Sequence, residues 1–130
     1  MQWKVRGIRG ATTATENTKD AIAAAVTELM DQIEDCNDLD PEEIISITFT
    51  TTTDLDAIFP AAIARRRPGW NDIPLLDVQQ MKVKGSLEKC IRVLIYFNTL
   101  KKQKEVHHVY LRGAQNLRRD WNLAQMAMSL

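Results

Sequence analysis

Few cysteines, no charge bias and no long apolar run limit what this sequence can encode. The two cysteines, Cys36 and Cys90, are far apart and lack the spacing of a disulfide framework or a zinc site, which is typical of a reduced cytosolic protein. No signal-peptide pattern opens the sequence, and no run approaches the roughly 18 apolar residues of a membrane span. Lysine plus arginine equals aspartate plus glutamate, at 17 each, which disfavours a nucleic-acid or membrane partner. We therefore expect a cytoplasmic protein.

The motifs of common catalytic machinery are also missing. The sequence holds no GxSxG elbow, phosphate-binding loop, dinucleotide fingerprint or HExxH pair. Its only histidines, His107 and His108, are adjacent, and on a strand they face opposite ways, which makes them a poor metal pair. We expect no metal site.

The patterns that are present fit one domain spanning residues 1–130. Apolar side chains at helical spacing between Ile22 and Ile33 predict one long helix, capped by Asn17 or Thr18 and reaching Asp35. Five strands are predicted, at 2–13, 45–50, 73–78, 91–97 and 108–111. Short helical turns are predicted at 40–43 and 60–66. Residues 101–104 are expected to form a solvated hairpin loop.

These elements define an α+β fold, a mixed sheet of about five strands with one long helix and short helical turns. Because one helix cannot cover both faces of such a sheet, we expect the chain to self-associate, although the number of subunits does not follow. Residues 121–130 carry little pattern and are expected to form a mobile tail.

Arginines in apolar settings are the main chemical signal. Arg9 lies between glycines and Ile8, and Arg118 follows Leu117. Arg92 lies in an apolar strand, where alternation puts it on the face opposite its apolar neighbours. A buried arginine is costly unless an anion meets it. Two interpretations remain open: an ion pair with an acid of this or a neighbouring chain, or a pocket for a small anion with several carboxylates, which guanidinium binds through paired hydrogen bonds.

The run Arg65-Arg66-Arg67 is weaker evidence, because a charge run near a helix C-terminus is usually a solvated face. It leaves room for one of the three to turn inward.

Several stretches together resemble one family. They are RGIRGATT at 6–13, FPA at 59–61, GW at 69–70, IPL at 73–75, KCIRV at 89–93, HHVYL at 107–111 and LR at 117–118. In this order they are similar to the monofunctional chorismate mutases of the trimeric pseudo-α/β-barrel class, and the similarity runs from about Arg6 to Asp120.

The resemblance implies a homotrimer with three active sites at subunit interfaces. It implies that Arg92 reaches the ether oxygen of chorismate and that Arg9 and Tyr110 hold a carboxylate. It places Phe59, Leu75 and Leu117 against the ring and Arg65 and Arg118 at the mouth, with the tail closing over the ligand. The rearrangement to prephenate is pericyclic, so the resemblance implies no cofactor. It needs a fixed substrate conformer and a cation at the ether oxygen.

Two candidate site positions and one peripheral position depart from the family pattern. The family usually has glutamate where this chain has Gln80 and cysteine where it has Asp77, while Ala62 replaces a common lysine. Our hypothesis is that the carboxylate has moved from position 80 to 77, which requires the segment to bend so that both side chains reach one pocket. The alternative is that Asp77 points to solvent and Gln80 acts as a neutral acceptor at lower activity.

Other functions remain in competition. The first is a weak or inactive trimeric relative that binds a carboxylated metabolite. A trimeric enamine/imine deaminase ranks lower, because the ordered motifs belong to the mutases. A purely structural module would need an acid partner for Arg9 and for Arg92.

Overall fold

The computed structural model describes residues 2–118 of the chain. In that range the strands are β1 (Lys4–Thr13), β2 (Ile44–Thr51), β3 (Leu75–Gln79), β4 (Cys90–Thr99) and β5 (Val109–Tyr110). The α-helices are α1 (Lys19–Asn37) and α2 (Pro60–Ala64), and 3-10 turns lie at Pro41–Glu43, Gln103–Glu105 and Arg112–Ala114. The predicted fold class and element order are confirmed, with boundaries shifted by one to two residues for most elements.

The long helix α1 follows directly from its sequence. Thr18 is its N-cap, and the hydroxyl accepts a hydrogen bond from the backbone N–H of Ala21 at 3.1 Å. Asp20 lies in the first turn, where a negative charge favours the helix dipole. The helix ends at Asn37, and the left-handed backbone of the next residue, Asp38 (φ 49°), turns the chain out of the helix. Its apolar stripe, from Ile22 to Ile33, is buried.

The sheet is mixed, with strand order β3-β2-β4-β1-β5. Strand β4 is central and antiparallel to both β1 and β2, whereas β3 and β5 add parallel edges to β2 and β1. Since β1 lies between β4 and β5, residues 101–104 do not close a hairpin, and that expectation is wrong. The connection instead crosses β1, and Gln103 bonds to the backbone of Gly7 on the way.

Helix α1 covers one face of the sheet. The side chains of β4 that point to α1 are buried; they are Ile91, Val93, Ile95 and Phe97. On the other face, called the outer face below, Leu76 is 60% exposed, and Val78 and Tyr96 are exposed too. Part of the outer face near β5 is covered, because Ala11 and Tyr110 pack against Ala114 and Leu117. One helix therefore covers one face, as predicted from the element count.

Among residues 2–118, no helix is both long and apolar enough to cross a membrane. The predicted tail at 121–130 lies outside the described residues.

Candidate active site

Arg92 projects from the outer face of β4. Its register partners are Thr50 in β2 and Ala11 in β1. The Nε atom is buried and has no hydrogen-bond partner among the described residues. The ion pairs found within residues 2–118 join Arg67 and Arg112 to acids, and none includes Arg92. An ion pair inside the described chain therefore does not explain this arginine.

Two buried oxygen atoms without partners lie on the same face. They are Thr50 Oγ1 and Gln80 Oε1, for which the described part of the chain offers no hydrogen bond. Thr50 is opposite Arg92 on one side and Val78 on the other. The backbone N–H of Gln80 donates to Thr51 O at 2.8 Å, so the ladder continues and alternation puts Gln80 on the face of Val78. Buried polar atoms without partners are rare and costly, so these atoms make this face a candidate binding site.

Arg9 and Tyr110 lie on the outer face as well. Arg9 is opposite Leu94, one register pair from Arg92, and its side chain is exposed. Tyr110 is buried beside Ala11 in the parallel pair of β1 and β5. The fold thus brings Arg9, Tyr110, Arg92 and Gln80 to one face. Sequence reasoning missed Thr50, because a threonine in an alternating strand carries no signal of its own.

Leu117 and Arg118 follow the turn at Arg112–Ala114 and are half-buried. Leu117 packs against the small cluster of Ala11, Tyr110 and Ala114. Arg112 fixes this turn, since its Nη1 donates to Thr13 O at 3.2 Å and its Nε to Glu28 at 3.2 Å.

The other proposed site residues lie elsewhere. Phe59 immediately precedes α2 and is 70% exposed, and Arg65 ends α2 and is exposed. Leu75 packs against the main core on the covered side of β3. Phe59 and Asp77 line a cavity of about 510 Å³. Within one described chain, this group and the Arg92 group face different sides of the sheet.

Asp77 requires a correction. Its Oδ1 accepts a hydrogen bond from the backbone N–H of Ala61 at 3.0 Å, so the carboxylate caps α2, whose preceding residue Phe59 offers no side-chain cap. Burial raises the pKa of Asp77, and the bond from Ala61 opposes the rise. The segment does not bend as expected: Asp77 and Gln80 lie on opposite faces of β3 in one chain. Asp77 does not point freely to solvent either.

One arginine of the run 65–67 does turn inward, and it is structural. Arg67 pairs with Asp31 at 2.8 Å and Glu34 at 2.9 Å on α1. Its guanidinium also lies 5.2 Å from the ring centroid of Trp70. Ala62 is half-buried in α2.

Comparison with known proteins identifies the class. The family model described as chorismate mutase type I matches residues 5–121. The chain is 45% identical to a chorismate mutase AroH from Thermus thermophilus over 122 residues, covering 93% of this chain and 99% of the relative. It is 38% identical to a chorismate mutase AroH from Bacillus subtilis (strain 168) over 121 residues, covering 93% and 95%.

A solved structure agrees with these sequences. A chorismate mutase from Clostridium thermocellum superposes with a TM-score of 0.81 at 49% identity, covering 84% of this chain and 96% of that one. The chain belongs to the chorismate mutase type I family.

Proposed function

We propose that this protein is an enzyme that rearranges chorismate to prephenate, with Arg92 as the central catalytic residue. The observation that carries the proposal is the buried Nε of Arg92, which lacks a partner in the described chain and lies on the same face as two unpartnered oxygens. A dianionic substrate with an ether oxygen and a hydroxyl supplies what these atoms lack. Family membership supports the same reaction.

The chemistry asks for two things that the outer face offers. One carbon–oxygen bond breaks as one carbon–carbon bond forms, so negative charge grows on the ether oxygen, and the fixed guanidinium of Arg92 stabilises it. Arg9 and Tyr110 hold a carboxylate, and the protein thereby selects the compact conformer of a flexible dianion. No step moves a proton to or from the protein, and we propose that no cofactor takes part.

We propose a homotrimer with shared sites. The exposed apolar residues of the outer face, such as Val78 and Tyr96, support burial against other subunits. The separation of Phe59, Arg65, Leu75 and Asp77 from Arg92 supports a site completed across the interface. Phe59, Leu75 and Leu117 then contact the ring, and Arg65 and Arg118 lie at the mouth. A cytoplasmic location stays a prediction from the sequence.

Gln80 has the acceptor atom that the substrate hydroxyl needs, and its Oε1 is unpartnered in the described chain. We propose that it accepts this hydrogen bond. The charge that glutamate would bring at this position is missing from Gln80. Asp77 restores it only if its carboxylate reaches the site while capping α2.

A chorismate-consumption assay tests the proposal. The wild-type protein should remove chorismate and form prephenate well above the uncatalysed rate, and Arg92→Ala should not. Arg66→Ala, which changes an exposed arginine that has no proposed role in the site, is the matched control and should keep full activity. If the wild type binds chorismate without turning it over, the chain is the weak or inactive relative instead.

A further inference from the structure

The position of the Arg92 guanidinium depends on the strand that carries it. Its Nε has no partner among residues 2–118, so hydrogen bonding of that atom does not hold the side chain. A displacement of about 1 Å at a catalytic group costs roughly 100-fold in rate. Arg92 is the third residue of β4, and its side chain interacts with the thiol of Cys90, the first residue of that strand. The start of β4 therefore has a direct part in setting where the guanidinium lies.

Strand β4 starts from an unusual backbone. Lys89, the residue just before it, has a left-handed conformation with φ 48°, which residues other than glycine rarely adopt. The backbone N–H of Lys89 donates to Asp54 Oδ2 at 2.9 Å, and its carbonyl accepts from the N–H of Ala14 at 2.9 Å. Asp54 thus holds the residue with a left-handed backbone that immediately precedes β4.

Asp54 also holds the next residue through Thr52. The hydroxyl of Thr52 donates to Asp54 Oδ1 and accepts from the N–H of Cys90 at 2.9 Å. The N–H of Thr52 donates to the carbonyl of Cys90 at 3.1 Å, which closes the end of β2 onto the start of β4. Both oxygens of Asp54 are therefore engaged at the start of this strand.

The lowered pKa of Asp54 favours the ionised carboxylate, which is the form that accepts these hydrogen bonds. Burial would raise the pKa of Asp54, but the hydrogen bonds from Thr52 and Lys89 outweigh it and hold the pKa below its usual range. Asp54 and Gln80 line the same cavity of about 410 Å³. The carboxylate thus lies near the face that presents Arg92 without pairing with it.

We propose that Asp54 is a positioning residue for Arg92: it clamps the start of β4 to the end of β2 and so fixes the guanidinium relative to Thr50 and Gln80. The proposal rests on the proposed function, because it matters only if Arg92 acts on the substrate.

The first test compares Asp54→Asn with Asp56→Asn. Asp56 lies in the same loop but bonds to Asn17, at 2.7 Å from Nδ2, and not to β4. Asp54→Asn loses one of the two acceptors, so kcat should fall about 10- to 100-fold with KM changed less than about 3-fold. Asp56→Asn should keep the wild-type kcat. Wild-type kcat in Asp54→Asn would overturn the proposal.

The second test combines the change with Arg92→Ala at high enzyme concentration. If Asp54 acts through Arg92, Asp54→Asn should lower kcat less than about 2-fold in that background. A full additional loss would show a merely structural role and overturn the proposal. Near-native activity of Arg92→Ala alone would instead overturn the proposed function.

Thr52 keeps the proposal testable if Asp54 variants do not fold. Thr52→Val removes the bridging hydroxyl and should lower kcat with little change in KM, whereas Thr52→Ser keeps the hydroxyl and should restore it. Equal activity of the two variants would contradict the clamp.

Discussion

Removal of the Arg92 side chain is the change whose effects the structure defines best. In Arg92→Ala the cation at the ether oxygen is lost, and loss of one such preorganised donor costs roughly 100- to 1,000-fold in kcat, or about 3–4 kcal/mol. KM should rise less, because the charge on the ether oxygen develops only in the transition state. Arg92→Lys should be a poor substitute, since an ammonium lacks the planar fork.

Stability should move the opposite way from activity. Since the buried Nε has no partner in the described chain, it is a desolvated donor that destabilises the fold. Arg92→Met keeps the length of the stem and removes the donor, so the free energy of unfolding should stay equal or rise by about 1 kcal/mol. Thermal unfolding at fixed protein concentration measures this, because assembly also shifts the transition.

Two results would refute the reasoning about Arg92. Near-native turnover in Arg92→Ala would show that another group stabilises the ether oxygen. A loss of more than about 2 kcal/mol of stability in Arg92→Met, together with lost activity, would show that the arginine holds the fold rather than the transition state.

Three further predictions follow from the proposed assembly and site. The wild type should sediment as a trimer, and Val78→Lys should yield smaller, inactive species; an active monomer at high dilution would exclude shared sites. Deletion of the residues after Arg118 should raise KM more than it lowers kcat if the tail closes over the ligand, and unchanged kinetics would indicate fraying. If charge has moved from position 80 to 77, Asp77→Asn should lower turnover strongly and Gln80→Glu should rescue it; additive effects, or an indifferent Asp77→Asn, would exclude relocation.

The sequence patterns predicted the features that depend on neighbouring residues, namely the long helix and the faces of the central strand. The apolar period of α1 and its cap at Thr18 were readable because a helix buries one stripe and needs one acceptor at its start. Alternation along β4 placed Arg92 opposite Ile91 and Val93, because side chains on a strand change face at every residue. These two elements give the long helix and the central strand of the fold, and they place Arg92 on the outer face.

Contacts between segments that are far apart in the chain could not be predicted from the sequence. The partner of Asp77 is a backbone N–H of Ala61, a donor that every non-proline residue carries and that no sequence pattern marks. The position of β1 between β4 and β5 was missed because strand order depends on packing across the whole chain. The unpartnered oxygen of Thr50 became visible only when its register with Arg92 was known.

The central place of β4 has a consequence for how the chain acquires its structure during synthesis. Strands β1 and β2 do not pair with each other; both pair with β4, so that Lys4 meets Thr99 and Thr51 meets Ile91. A nascent chain that has not yet extended past Cys90 holds only the β2–β3 pair, and β1 has no neighbour. Such non-local pairing slows folding and leaves apolar strands exposed while it lasts. The sheet therefore cannot join β1 to β2 until β4 has been made, and Arg92 emerges with this central strand.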